Sequence, residues 1–345
     1  KRKNGSNTGT PKMTIADCVI LALKNNLDLK TSFLNRIPQR ISLKLAEDQF
    51  RPKSGDLILN ATRNSTYPSV EAGRMTGWSG VTSNYSATLQ IPTGGTFAFN
   101  WTNSLSKTDV NTWTSYTPSW TLSFAQPLLK GAGKEVATAN LVIARITEQG
   151  NILSLQDAIT TTINNAITQY RSYVSALLTL KNDQSSLDIA LKTYEMNKAL
   201  VNAGRMAESE LVQSEADIAQ KRFQITNDKN AIDNTRLTLI QTLNLDSNLA
   251  FEPVEETGAE IKPPSFEEAI KIAKKYRTDY LKQLQAVETA RLNFVVAKNG
   301  LLPTLNLTPQ VGSSMNNYDY GAATRSIGSL GKRDWQVSAI MSIPI

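Results

Sequence analysis

The stretch Gly131-Ala132-Gly133-Lys134 is where this sequence comes nearest to a chemical motif, a loop that cradles phosphate. Such a loop needs a further glycine five residues before its Gly-Lys pair and a Ser or Thr directly after it. Leu128 and Glu135 occupy those two positions, so Lys130 and Lys134 read instead as interface lysines. The chain has no histidine, which removes imidazole acid–base chemistry and the hydrolase constellations built on it. Its single cysteine, Cys18, excludes an intramolecular disulfide and a zinc site of the usual Cys/His kind. On an apolar helical stripe, Cys18 reads as a packed free thiol. The carboxylates are scattered, with no cleft-forming pair, so an enzyme has little in its favour and no catalytic, cofactor-binding or metal-ligating residue is assigned.

The bulk properties narrow the class further. With 345 residues the chain is long enough for two domains, and 40% hydrophobic content suits an ordered protein. The formal charge of +7 is spread among acidic residues, apart from Lys1-Arg2-Lys3, and so does not form the basic patch that nucleic acid requires. No run approaches the ~18 consecutive apolar residues of a membrane-spanning helix. The short apolar run of Ala16–Leu23 carries Asp17 beside Cys18, which fits neither a signal peptide nor a lipoprotein cleavage site. An exported chain of this kind reads as a mature form, and contact with a membrane would have to be made through strands.

Strand patterns do recur in residues 52–128. Leu57–Arg63, Tyr85–Ile91, Thr96–Thr102 and Ser119–Phe124 all alternate with a period of two, and Pro92-Thr93-Gly94-Gly95 makes a hairpin turn between the middle pair. Phe97, Phe99 and Trp101 share one face; Trp120, Leu122 and Phe124 share another, with Ser119, Thr121 and Ser123 opposite. Apolar alternation bounded by Trp and Tyr is the pattern of a membrane β-barrel wall, lipid on one side and water on the other. Two to four strands per copy cannot close a barrel, and open edges are not tolerated in lipid, so sister chains must complete it.

Helix follows from about Lys134 to Gly204. Positions 152, 159, 166, 173, 180, 187, 194 and 201 hold Ile, Ile, Ala, Tyr, Leu, Leu, Tyr and Val, and positions 211, 218, 225, 232 and 239 hold Leu, Ile, Ile, Ile and Leu. Sustained heptads predict long helices that wrap along one another. About seventy residues at ~1.5 Å each would reach roughly 100 Å, too long for a globular core. Two helices, near 208–246 and 279–299, together approach the length of this one. At the junction, Pro127 is expected to stop strand pairing, and Gly131 and Gly133 to let the chain swing into the helix.

The chain then starts over. Thr14–Phe33 is mirrored from Ser265, with Asp279 against Asp28 and Pro303 against Pro52, a tandem duplication. Thr14 with Asp17 signals a helix start, and a second short helix is expected over roughly Asp28–Gln49, ending before Pro52. The domain reading is short helices over 1–51, barrel strands over 52–128, a long helical hairpin over 129–250, a proline-bearing linker over 251–264, short helices again over 265–302 and strands over 303–345. The second copy stops where the first turns from strand into long helix, so roughly a hundred further residues are expected beyond Ile345.

Several segments in this order resemble the TolC family of outer-membrane efflux and secretion channels, over nearly the whole chain from Thr14. They are the helix starts at Thr14–Leu29 and Ser265–Leu281, the segments 297–307 and 46–59, the strand-to-helix junction Leu122–Lys134, and a helical turn matched at Gly204, Ser209, Leu211, Glu215 and Ala216. The resemblance implies an α+β, mostly helical fold. Long antiparallel coiled-coil helices would form a periplasmic α-barrel, and the strands would contribute to a trimeric, 12-stranded outer-membrane β-barrel. It further implies a passive homotrimeric export duct without cofactor, extending from the bacterial outer membrane into the periplasm. Its partners would be outer-membrane lipid, a periplasmic adaptor protein and an inner-membrane RND or ABC transporter, in a tripartite efflux pump or a type I secretion system. The turn residues Gly204, Arg205, Met206, Ala207, Glu208, Ser209 and Glu210 would form the adaptor-contact tip. The alternative is a non-transporting trimeric coiled-coil protein, a surface tether or adhesin stalk.

Overall fold

The structure is a computed structural model that describes residues 12–66, 76–108, 113–249, 251–254, 263–328 and 333–343. Of the linker read at 251–264, residues 255–262 lie outside the described ones, as do the basic start and Ile345. In chain order, a two-residue strand β1 (Lys12–Met13) leads into helices α1 (Ile15–Asn25), α2 (Leu27–Leu34) and α3 (Arg36–Glu47). Strands β2 (Lys53–Ser54), β3 (Ile58–Thr66), β4 (Thr76–Gln90), β5 (Thr96–Thr108) and β6 (Thr114–Pro127) follow. Then come α4 (Lys134–Ala137), α5 (Ala139–Asn202), α6 (Glu208–Leu243) and β7 (Glu252–Pro253). The second copy supplies α7 (Phe266–Tyr276), α8 (Thr278–Gly300), β8 (Thr304–Ser314), α9 (Tyr320–Gly328) and β9 (Asp334–Ser342).

The duplication is written into the helix caps. Thr14 accepts a hydrogen bond from the backbone N–H of Asp17, whose carboxylate accepts from the Thr14 N–H; Ser265 and Glu268 repeat this reciprocal box. The two capped helices, α1 and α7, are each 11 residues long. The helix expected over Asp28–Gln49 is instead two, broken at Asn35. Pro38 explains the break, because in a continuous helix its ring would meet the Leu34 carbonyl and leave it without a donor. In the first turn of α3, by contrast, the missing N–H costs nothing.

The described residues form two compact units, one from the chain up to Ile37 together with Asn151–Thr278, the other from Pro38–Gly150 together with Asp279 onward. In the first unit α1 packs on α6, and a core gathers Cys18, Ala22, Ala166, Tyr173, Leu239, Ile240, Leu243 and Phe251. β1 and β7 pair in parallel beside it. Tyr170, 2% exposed, places its hydroxyl 2.9 and 2.7 Å from the carbonyl oxygens of Met13 and Val254, and so ties both strands to α5. The heptad rows face inward as expected on α6 at 211, 218, 225, 232 and 239, and on α5 everywhere except Ile152, which is 52% exposed.

In the second unit the strands make one mixed-length antiparallel sheet in the order β2/β3-β4-β5-β6-β8-β9. β2 and β3 both pair with β4, one after the other along its length, so they occupy a single position in the sheet. Arg291 on α8 donates to Glu135 at the start of α4 (2.9 Å), and Arg145 on α5 donates to Glu47 (3.4 Å). α9 was not expected within the strand region 303–345. It lies beside the far end of β6, with Tyr320 edge-on to Tyr116 at 5.6 Å and Ala323 fully buried.

Candidate functional site

The register of the sheet sorts its residues onto two faces, since partners directly opposite each other point to the same side. Phe97 lies opposite Phe124, Phe99 opposite Leu122, and Trp101 opposite Trp120. The two apolar rows read separately from the sequence are therefore one patch. It continues through Leu89, Ala87 and Tyr85 on β4, Val311 and Leu307 on β8, and Trp335, Val337, Ala339 and Met341 on β9. Phe97 and Phe124 stack with their rings 4.4 Å apart. The patch is open: Trp101 is 52% exposed, Leu122 43% and Trp335 79%.

The other face is hydroxyl and amide almost throughout. Thr88, Ser86, Asn84 and Thr82 on β4 lie opposite Ala98, Asn100, Thr102 and Ser104 on β5, followed by Ser123, Thr121, Ser119 and Thr117 on β6. β8 and β9 add Asn306, Thr308, Gln310, Gln336 and Ser338. Among the described strand residues on this face, Lys53 and Asp334, at opposite edges of the sheet, carry the charges. Neither β3 nor β9 has a second strand partner among the described residues. The tryptophans depart from an end girdle. Trp101 and Trp120 sit mid-strand, and Trp78 is on the polar side.

The strand-to-helix junction corrects one expectation. Pro127 does not stop pairing: it lies opposite Asn306, and the Leu128 and Lys130 N–H groups still donate to the Leu305 and Pro303 carbonyls at 2.8 and 3.2 Å. Because the Leu128 N–H points toward β8, position 127 faces the other way, where the ladder with β5 has already ended at Ala125. A proline there removes no bond. Gly131 and Gly133 have φ of +83° and +95°, and the Gly131 N–H donates to the Asn299 side chain of α8 at 2.7 Å. Left-handed backbone of this kind costs a side-chain-bearing residue roughly 1–2 kcal/mol.

The turn between α5 and α6 is a Schellman cap. The Arg205 N–H donates to the Leu200 carbonyl and the Gly204 N–H to that of Val201, both at 2.9 Å, with Gly204 at φ +70°. Ala207 is the N-cap of α6 and offers no side-chain acceptor, while Glu208 and Glu210 lie in the first turn beside Ser209. Met206 is half-buried and the rest of the segment is exposed. The sequence reading missed what locks this turn. Tyr194 donates to Glu215 and Asn197 to Ser214, both at 2.9 Å, and Tyr194's bond holds its phenol above the usual pKa. Tyr194 was legible only as a heptad position. A groove of about 500 Å³ between the helices runs past Ser186, Ala190, Thr193, Glu210, Ser214 and Lys221.

Farther along the same hairpin, Asp228 is buried with one oxygen accepting from Gln224 (2.9 Å) and the other without a donor. Its neighbour Asp183 has its pKa raised, first by a hydrogen bond to Asp228, then by burial and by Asp228's charge, with Lys221 opposing. Burial pushes the Cys18 thiol up to about 12, with Asp17 adding to the shift, which makes it inert. Among the described residues, no group of three or more His, Cys, Asp or Glu could hold a metal, and no helix is long and apolar enough to cross a membrane.

No protein-family model matches the chain, and no curated protein was found to match it. Solved structures do. The outer-membrane channel OprN aligns over 95% of this chain and 64% of its own, at 14% identity and a TM-score of 0.63. CusC, whose crystal structures address folding and transmembrane channel formation, aligns over 96% and 65%, at 14% identity and a TM-score of 0.60. The CmeC outer membrane channel of Campylobacter jejuni aligns over 96% and 61%, at 18% identity and a TM-score of 0.59. The chain thus spans less than two thirds of the length of these neighbours. It has the fold of the TolC-like outer-membrane channels.

Proposed function

We propose that the chain is a subunit of a trimeric export duct in the bacterial outer membrane, reaching into the periplasm and catalysing nothing. The observation that carries this is the sheet itself, with an exposed apolar patch on one face, a hydroxyl- and amide-rich other face, and, among the described residues, a single strand partner for β3 and for β9 at its two edges. In water the apolar face would remain unsatisfied, and in lipid the open edges would. A ring of sister chains in a bilayer satisfies both, with Phe97, Phe99, Trp101, Trp120, Leu122 and Phe124 toward lipid. The exposed Ile189, Val212 and Phe223 on the helical hairpin supply apolar surface for packing between neighbouring subunits.

Energy for export would come from an inner-membrane RND or ABC transporter through a periplasmic adaptor. The adaptor's contact would be the capped turn at Gly204–Glu210, whose geometry is fixed by backbone bonds and by the Tyr194–Glu215 and Asn197–Ser214 pairs. The full-length protein, purified in detergent and added to planar bilayers, tests the duct. It should migrate as a trimer and conduct ions. A monodisperse monomer, or a detergent-independent soluble rod without conductance, would overturn the proposal.

A further inference from the structure

Three chains forming a 12-stranded barrel would contribute four strands each, and among the described residues this sheet holds six strand positions: β2/β3, β4, β5, β6, β8 and β9. The surplus is the β4–β5 hairpin. Taking the duct reading above as its basis, we propose that this hairpin is built into the transmembrane wall and widens the bore to roughly 18 strands in the trimer.

Topology is the first support. If the hairpin were a flap outside the membrane, β3 and β6 would close the wall by pairing with each other, as their antiparallel directions allow. Instead β3 pairs with β4, and β6 takes β5 and β8 as its two neighbours. Patterning is the second. On β4 and β5 the apolar patch continues as Leu89, Ala87 and Tyr85 opposite Phe97, Phe99 and Trp101, in step with Phe124, Leu122 and Trp120, and gives way beyond them to Ser83 opposite Asn103. The third is depth. The hairpin turn is fastened at the level where β6 leaves the sheet: the Gly133 N–H donates to the Thr93 carbonyl (3.2 Å), and the Thr93 hydroxyl donates to the Gln126 side chain (3.1 Å). A side chain at Gly94, φ +94°, would put its Cβ 2.3 Å from the Gly131 carbonyl oxygen. The hairpin therefore starts at the same end as β6 and runs alongside it.

At a fixed tilt, diameter grows about linearly with strand number, so the backbone bore would be ~1.5 times that of a 12-stranded barrel, and its cross-section more than twice as large. Cysteine labelling of the full-length protein in proteoliposomes tests the placement. Cys18 is silent by burial. Ala87→Cys and Leu122→Cys should resist a membrane-impermeant maleimide until the protein is unfolded in denaturant, and Ser86→Cys and Ser123→Cys should react with it in the membrane. If positions 122 and 123 differ in this way but 86 and 87 both react with the impermeant reagent, the hairpin lies outside the membrane. The widened wall is then wrong while the duct stands. If 122 and 123 react alike, the duct itself falls and takes this inference with it. A strand count from electron cryomicroscopy gives a second readout: about 18 supports the proposal and 12 overturns it.

Discussion

Leu122→Arg and Ser123→Arg are adjacent, equally drastic substitutions that should have opposite consequences. Leu122 is 43% exposed on the apolar face, opposite Phe99 on one side and Val311 on the other. Ser123 lies on the polar face between Ala98 and Gln310. The apolar row on β6 runs from Tyr116 to Phe124 and is centred on Trp120, so Leu122 sits about 7 Å along the strand from the middle, or roughly 5 Å in depth once the strand tilts. Arginine at the midplane of a barrel's lipid face costs about 2–4 kcal/mol, declining toward the interfaces. At this depth about 2–3 kcal/mol per chain is expected, some 30- to 150-fold in the folding equilibrium of one subunit and a cubed effect in a trimer. On the proposed duct Ser123→Arg would face water, and it should stay within about 0.5 kcal/mol of wild type. The assay is the urea concentration at which the protein, folded into lipid vesicles, unfolds. Equal midpoints for the two variants, or a larger loss from Ser123→Arg, would refute the assignment of faces.

Three further substitutions probe the helical parts. Tyr170→Phe removes the hydroxyl between the Met13 and Val254 carbonyls, and should lower stability by about 1–2 kcal/mol in denaturant unfolding while leaving trimer formation intact. Ala207→Ser supplies the acceptor that the N-cap of α6 lacks, and should stabilise the hairpin by about 1 kcal/mol, seen as slower hydrogen exchange at the first turn of α6. Asp183 has a raised pKa, so its contribution is full below the ordinary carboxylate range and is lost as pH rises through its folded value. Asp183→Asn should therefore melt higher than wild type at neutral pH, with the difference shrinking in acid; a difference independent of pH would rule out the raised pKa of Asp183.

The sequence carried the local features well, because each depends on residues close together in the chain. A Thr-x-x-Asp box closes within one helical turn, and Thr14 with Asp17 formed it as read, with Ser265 and Glu268 repeating it in the second copy. The heptad rows stated which side of α5 and α6 would be buried, and only Ile152 failed to comply. Alternation gave the faces of individual strands but not their partners. Nothing in Ser119–Phe124 says that its neighbour on one side starts at Thr304, nearly two hundred residues away, because a period of two fits any strand. For the same reason the number of strands in the wall was not readable. Pro127 was misread because its cost depends on which side of the strand the nitrogen faces, a property of register. The Tyr194–Glu215 lock joins two helices at positions that the heptad pattern treats as packing alone.

For the duct subunit proposed above, the same geometry constrains how the chain would reach its final state. A soluble domain usually buries its apolar face before it meets a partner. Here the apolar face of the sheet has Trp101, Leu122 and Trp335 open, and among the described residues β3 and β9 each have one strand partner. Burying the apolar face requires lipid, and entering lipid requires the edges to be closed by other chains. The two requirements cannot be met in sequence without passing through a state that violates one of them, so insertion and assembly must be coupled. The first unit is different. Its core around Cys18, Tyr170 and Leu239 is already closed within one chain and includes no residue of the sheet. Its α1–α6 packing can therefore form before assembly, leaving the sheet as the element that waits for its sister chains and the membrane.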